Sequence, residues 1–479
     1  MRIGIRTTPL SNWLTHLDVV LPRGAVTVLV AVLLLAAVFP YQGRFRQYDL
    51  LIDDFLYVEK SRDWPSTWQS LAEPHSVHLC PLFRLLTGFA VSFAAQPSQL
   101  RLVLVPPTVA VFCLLLLAVY AFLERETESP LSGLIGMIVL GFSSILRDTV
   151  AWHSSSQAQW SVLFVVLNLL AAQSYRIKRG GWRLMPVAVL ALLAPCWWSI
   201  GIIAGPAAAL YLILTLPGPL AARLRVAVLP VTATLLYLAA YFWIGAGRVA
   251  PARFQGLGAL YEALRGTIET MVLRNCGLEL DPWTFGKWMV YELIVSVIAF
   301  WWFWRGARRQ LSWLGISIWI MSYGLIYGYS EAYGIHHSGR YQVAAQLALV
   351  LFLCGGLRNN SRPDLRLTIR ELLVVLLFGS LFWSLHSGAI SQGLEPQRAR
   401  FQAMQLGHLE LMADEARRNG IGMDLLRSAM GPFPIDGAPD DFDGLILIEN
   451  SLPATTEPGR RESVDAVRQR MKRLLEEGE

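Results

Sequence analysis

The chain has 479 residues, of which 54% are hydrophobic and 16% charged, against roughly 25% charged in an average soluble domain. That balance excludes an ordinary soluble globular protein, and apolar runs of about 20 residues recur as membrane-crossing helices require. The formal net charge of +6 would suggest a nucleic-acid partner in a soluble chain; here it lies as arginine in short loops between apolar runs, the pattern of cytoplasmic loops, and no nucleic-acid partner is expected.

In chain order, Arg2, Arg6 and Arg23 precede the apolar run Gly24 to Phe39. The leader is long and many apolar runs follow, so this reads as an uncleaved first helix, spanning 22–40, rather than a secretory signal. Further spans are predicted over 102–123, 130–146, 149–172, 184–199, 201–217, 226–244, 284–304, 311–329, 341–357 and 371–388. A short segment, 81–96, carries Arg84 and is expected to lie at the interface or to cross only in part, its arginine snorkelling to headgroups. The fold class expected is therefore an all-α polytopic membrane protein with about 11–12 transmembrane helices.

Basic clusters at Arg176 to Arg183, Arg223 and Arg225, Arg305 to Arg309, and Arg358 to Arg370 share one side, the cytoplasmic one. The N-terminus then lies inside and loop 41–80 outside, a parity that holds only if 81–96 does not cross fully. Four pieces gather on the exterior face: loop 41–80, the stretch Trp152 to Gln157, the loop 245–283 and the stretch Glu331 to Tyr341. Within 245–283, Leu257, Leu260, Tyr261, Leu264 and Ile268 recur at helical spacing, which predicts a helix lying flat on the membrane. Trp64 and Trp68 suit the same interfacial belt.

Residues 1–390 form the expected membrane domain and 391–479 a small soluble α/β appendage. In it Gln397 to Arg418 and 462–478 read as helices, and Leu445 to Ile448 as a short strand. Asp440 to Gly444 is too short a match to a calcium loop and reads as an acidic turn. The five cysteines show no metal-ligand spacing; Cys80 and Cys276 both fall outside the cytoplasm, where a disulfide is permitted.

The chemistry centres on Asp53 and Asp54, adjacent carboxylates directly after the first apolar run. Charge retained beside a bilayer is costly and marks a functional site. Asp49 and Glu59 read as solvated charges, Glu292 as a cavity-lining or ion-paired acid two turns into a helix, and His153 with Ser154 to Ser156 as lacking the partnered acid of a nucleophilic triad.

The order apolar helix, Asp53-Asp54 in the first exterior loop, then His78-x-x-Pro81-Leu82-x-Arg84 opening the next segment resembles the polytopic glycosyltransferases of the GT-C superfamily, which include the protein O-mannosyltransferases and the aminoarabinose transferases. Gly339-Arg340-Tyr341 at a loop-to-helix junction is similar to late-loop basic and aromatic positions in that family. The resemblance is strongest over 22–90, architectural over 100–388, and absent after 390; no sequon-binding module accompanies it.

The resemblance implies a glycosyltransferase. An exterior site cannot draw on cytoplasmic nucleotide sugars, so the donor expected is a polyprenyl-phosphate sugar and the acceptor a glycan, lipid or protein. Asp54, with Asp53 second, is the expected base. Arg340, with His336, His337 and Tyr341, is the expected holder of the donor phosphate; His78, Arg84 and Glu292 are further candidates. Carboxylates beside phosphate oxygens also suit a divalent Mg or Mn ion at Asp53 and Asp54. A single displacement inverts the anomeric carbon, and the membrane implied is the bacterial inner membrane with the site on its periplasmic face. The alternatives are a lipid-linked oligosaccharide ligase or polymerase, a transporter coupled through a buried carboxylate, and a non-catalytic assembly protein.

Overall fold

The structure, a computed structural model, describes residues 22–42, 53–61, 63–75, 78–94, 100–146, 149–150, 152–245, 285–306, 308–329, 339–357 and 367–392. The soluble appendage expected over 391–479, past the last two residues of the final helix, and the interfacial helix expected within 245–283 lie outside the described residues.

The described chain is helical: α1 (Arg23–Val38), α2 (Asp53–Lys60), α3 (Trp64–Ser70), α4 (Pro81–Val91), α5 (Leu100–Thr127), α6 (Pro130–Gly141), α7 (Gln157–Lys178), α8 (Leu184–Leu193), α9 (Ala204–Thr215), α10 (Leu220–Gly245), α11 (Phe285–Arg305), α12 (Arg309–Tyr329), α13 (Gly339–Gly356) and α14 (Ile369–Gln392). No strand forms among these residues; His75 and His78 pair as an isolated antiparallel bridge. Helices suit such apolar sequence because, away from water, each backbone polar group must be satisfied within its own segment.

Among the described residues, five helices are long and apolar enough to cross a membrane: Gly24–Tyr41, Leu102–Thr127, Ser154–Lys178, Leu220–Ile244 and Ile369–Ser387. Their outer faces leave large apolar side chains exposed, among them Leu35, Leu236, Trp243 and Leu377, a surface that lipid covers better than water does. Helices α11 and α12 coincide in extent with the runs read over 284–304 and 311–329, without being among those five. Several other expected spans are shorter as helices. The run 130–146 divides into α6 and a 3-10 turn at Ser144–Leu146, and the run 184–199 ends as α8 at Leu193, where Pro195 leads a 3-10 turn at Ala194–Cys196. Proline has no N–H to continue the ladder, which ends the α-helix there.

Close packing rests on small residues. A side chain at Gly136 of α6 would strike Leu123 of α5, and one at Gly205 of α9 would strike the Pro230 carbonyl of α10. A Cβ at Gly315 of α12 would lie 2.6 Å from the Ala348 carbonyl of α13. Without these glycines the backbones could not approach so closely. The core they enclose runs through α1, α5, α6, α7, α9 and α13.

The bundle has two chemically distinct ends. Near the C-termini of α5, α7 and α9, the buried Glu126 carboxylate accepts hydrogen bonds from Tyr211 (2.6 Å), Gln173 (2.9 Å) and Arg176 (2.8 Å). The N-termini of the same helices point to the other end, which holds most of the candidate residues. Thr108 and Glu126 of α5 are 18 residues apart, roughly 27 Å at 1.5 Å per residue.

Candidate functional site

Asp54 lies in the first turn of α2 and is fully buried. Its Oδ1 accepts a hydrogen bond from the backbone N–H of Ser154 at 2.6 Å, which ties the first loop to a stretch 100 residues further on. One turn along α2, the Tyr57 hydroxyl donates to Gln157 Oε1 at 2.9 Å. Two bonds therefore fix α2 to the entrance of α7. Helix α7 starts at Gln157, later than the span expected over 149–172. Its preceding residues His153, Ser154, Ser155 and Ser156 form a buried polar turn rather than a first helical turn in lipid.

His153 anchors that turn from below. Its Nε2 lies 3.0 Å from Thr87 Oγ1 of α4 and its Nδ1 lies 3.3 Å from Thr108 Oγ1 of α5. Burial pushes the imidazole down to about 3, so the ring is neutral. A neutral ring has one donor and one acceptor nitrogen, and hydroxyls can meet either. Thr87 and Thr108 thus tie the ring to α4 and α5. Phe83 packs against both His153 and Tyr57, with ring centroids 4.9 Å apart in each case.

Arg340 opens α13 and reaches the same turn from the other side of the sequence. Its guanidinium carbon is 5.3 Å from the Trp152 ring and 5.3 Å from the Tyr341 ring, within cation–π range of both. Tyr341 packs on Trp198 at 4.9 Å, Trp198 on His78 at 5.2 Å, and His78 Nδ1 lies 2.6 Å from Ser199 Oγ. His78 is bridged through backbone to His75, whose ring is 4.8 Å from that of Tyr57. The contacts thus close a circuit from Asp54 through Trp152, Arg340, Trp198 and His78 back to α2.

Three of the four exterior pieces expected to gather do so here: the first loop, the Trp152–Gln157 stretch, and the Arg340–Tyr341 junction. Of the residues singled out in the sequence, Asp54, His78, Arg340 and Tyr341 are brought together. Asp53 begins α2, but its side chain, like that of Glu292 on α11, lies outside the described residues, as do His336 and His337.

Arg84 corrects an expectation. It does not snorkel to headgroups: it is buried, its Nη1 donates to the Ser70 carbonyl at 2.7 Å, and Glu73 stands 3.9 Å away. The reason is that α3 and α4 fold onto each other, so the charge is met by protein before it can reach the interface. The N-cap of α4 is Cys80, two residues after His78. Cys80 is a free, buried thiol, pushed up to about 12 by that burial, and Cys276, with which a disulfide would be permitted, lies outside the described residues. Trp64 and Trp68 are exposed, as an interfacial position requires.

Sequence reasoning missed Tyr57, Gln157 and Trp198 as parts of the site. Each sits inside or beside an apolar run, where a single aromatic or amide carries no periodic signal. As for a metal, no group of three His, Cys, Asp or Glu side chains gathers among the described residues, and Asp54 is the carboxylate there with a described side chain. The chain matches no protein-family model and no curated protein sequence.

Proposed function

We propose that the protein is a membrane glycosyltransferase of GT-C type, moving a sugar from a polyprenyl-phosphate carrier to an acceptor on the non-cytoplasmic face of the bacterial inner membrane. In this reading residues 1–390 are the catalytic membrane domain, with spans formed by the shorter helices as well as the five long ones, and 391–479 an accessory unit. The observation that carries the proposal is that the Asp54 carboxylate and the Arg340 guanidinium engage the same short turn, Trp152 to Ser154. A base and a cation held that close suit a displacement in which one group takes a proton and the other receives negative charge.

In the step proposed, the acceptor oxygen attacks the anomeric carbon and gives its proton to Asp54. The bond from that carbon to the carrier phosphate breaks, and its electron pair leaves on phosphate oxygen, facing Arg340. The new bond forms on the face opposite the leaving group, so configuration inverts. The N-termini of α7 and α13 add partial positive charge at the same end of the bundle, which favours the developing anion. Burial of Asp54 keeps bulk water from competing with the acceptor. Were a Mg or Mn ion bound here, Asp54 would supply its carboxylate ligand and the ion would neutralise charge on the phosphate oxygens.

Asp54→Asn is the test. Asparagine keeps the Oδ1 that accepts from Ser154 N–H and removes the negative charge and the basicity. Transfer from a polyprenyl-phosphate sugar in reconstituted vesicles is expected to fall by at least about 100-fold, the scale of a lost general base. Full activity in a normally inserted variant would refute the assignment.

A further inference from the structure

We infer that the Trp152–Ser155 turn is a carbohydrate subsite, in which the Ser154 and Ser155 hydroxyls and the Trp152 indole N–H hold the hydroxyl groups of a sugar ring beside Asp54. The inference deepens the transfer reading and rests on it for what carries the sugar.

The three serines of the turn differ in one respect. Ser156 Oγ donates to the His153 carbonyl at 2.6 Å, the ordinary way a serine in a tight turn satisfies itself. Ser154 and Ser155 are just as buried, yet their Oγ atoms meet no hydrogen-bond partner among the described residues, and neither does the buried Trp152 Nε1. Ser161 and Ser322, equally buried, are satisfied: Ser161 donates to the Ala194 and Trp198 carbonyls, and Ser322 to that of Ile318. Unpaired buried atoms occur elsewhere among the described residues, including Thr234 Oγ1 and the Trp197 and Trp319 indole N–H groups, but only this turn has three within four residues, and that clustering calls for a specific reason.

The neighbours identify the chemistry. A carboxylate accepts from sugar hydroxyls, serine hydroxyls both donate and accept, and an indole N–H donates. Trp152, Trp198 and Tyr341 wall the turn and are held in place by Arg340 and by each other, which fixes where the indole N–H of Trp152 stands. An anion held by the serines would stand beside the Asp54 carboxylate, and His153 beneath them is neutral. Charge therefore assigns a neutral polyol to the serine side of the turn and the phosphate to the Arg340 side.

The test measures binding without turnover, on the full-length protein in nanodiscs of zwitterionic lipid. The probes are polyprenyl monophosphate, the same lipid carrying glucose, mannose or N-acetylglucosamine, and the matching methyl glycosides. Wild-type protein is expected to bind at least one glycosylated lipid or methyl glycoside with a sugar-dependent affinity that the Ser154→Ala/Ser155→Ala double variant lowers by about tenfold or more. Affinity for bare polyprenyl monophosphate should stay within about twofold of wild type, a margin well below the tenfold worth of one such bond. The thermal midpoint should hold or rise, because the hydroxyls removed have no protein partner. Loss confined to the lipid-linked sugars assigns the ring to the donor, and loss confined to the methyl glycosides assigns it to the acceptor. A double variant that keeps wild-type sugar affinity, or a wild-type protein indifferent to every sugar tested, overturns the subsite. Because nothing is turned over, an active Asp54→Asn variant would sink the transfer reading and leave this result standing, and the converse also holds.

Discussion

Arg340 and His153 show how single side chains hold the site. Arg340 sits over two aromatic rings with its guanidinium half-buried, so both its shape and its charge are used. Lysine keeps the charge but loses the planar fork and much of the stacking. Arg340→Lys is expected to retain some transfer and Arg340→Ala to lose about 10- to 1,000-fold, the range for removing one charge-stabilising group, with the larger effect on kcat. Equal activity of the three proteins in a vesicle assay would exclude a role at the phosphate. His153 makes a prediction in pH. Its folded pKa of about 3 lies below the unfolded 6.5, so between those values the unfolded chain binds the extra proton and folding loses stability as pH falls. The loss at pH 5 is roughly 2 kcal/mol, and His153→Gln should flatten the dependence of thermal midpoint on pH between 7 and 5. An unchanged slope in that variant would mean that the ring is not buried neutral.

At the scale of elements, the Glu126 end holds together the helices that present the site. Arg176 is partly exposed, so the ion pair itself contributes little; the larger cost of Glu126→Ala is removing the acceptor of the buried Tyr211 hydroxyl and leaving Gln173 Nε2 with the Phe122 carbonyl alone. About 1–3 kcal/mol of stability should go, read as a lower thermal midpoint, while transfer per folded molecule stays near wild type. A selective loss of transfer with no change in stability would point instead to a carboxylate that acts in function. The shortness of helix α4 was legible from the sequence: its 11 residues extend about 16 Å, against a hydrocarbon core of about 30 Å. The start of α7 was not. Apolar scoring carries the span back through Trp152, whereas the buried carboxylate of Asp54 and the hydroxyls of Thr87 and Thr108 pull His153 and Ser154 into a turn. Those partners are 45 to 100 residues away, and local periodicity cannot register them. Asp54 and Arg340 could be singled out because charge is rare next to apolar runs. Tyr57 and Trp198 could not, since an aromatic in such a run looks like any other packing residue.

For the whole molecule, the separation of a Glu126 end from an Asp54 end fits the orientation read from the basic loops. Arg176 and Arg183 belong to the first end, and Trp64 and Trp68 to the loop that forms the second. Single cysteines at Lys178 and at Trp68 should therefore react with a membrane-impermeant maleimide from opposite sides, with Trp68 labelled in intact cells. Labelling of both from one side would break the parity that α4 maintains. The account as a whole requires that the early carboxylate and the late arginine serve one ligand. A structure determined with a polyprenyl-phosphate sugar analogue bound tests this most directly: the phosphate is expected beside Arg340 and Trp152, with the anomeric carbon turned toward Asp54. A phosphate bound at the Glu126 end, or at a surface remote from the Trp152–Ser155 turn, would contradict it.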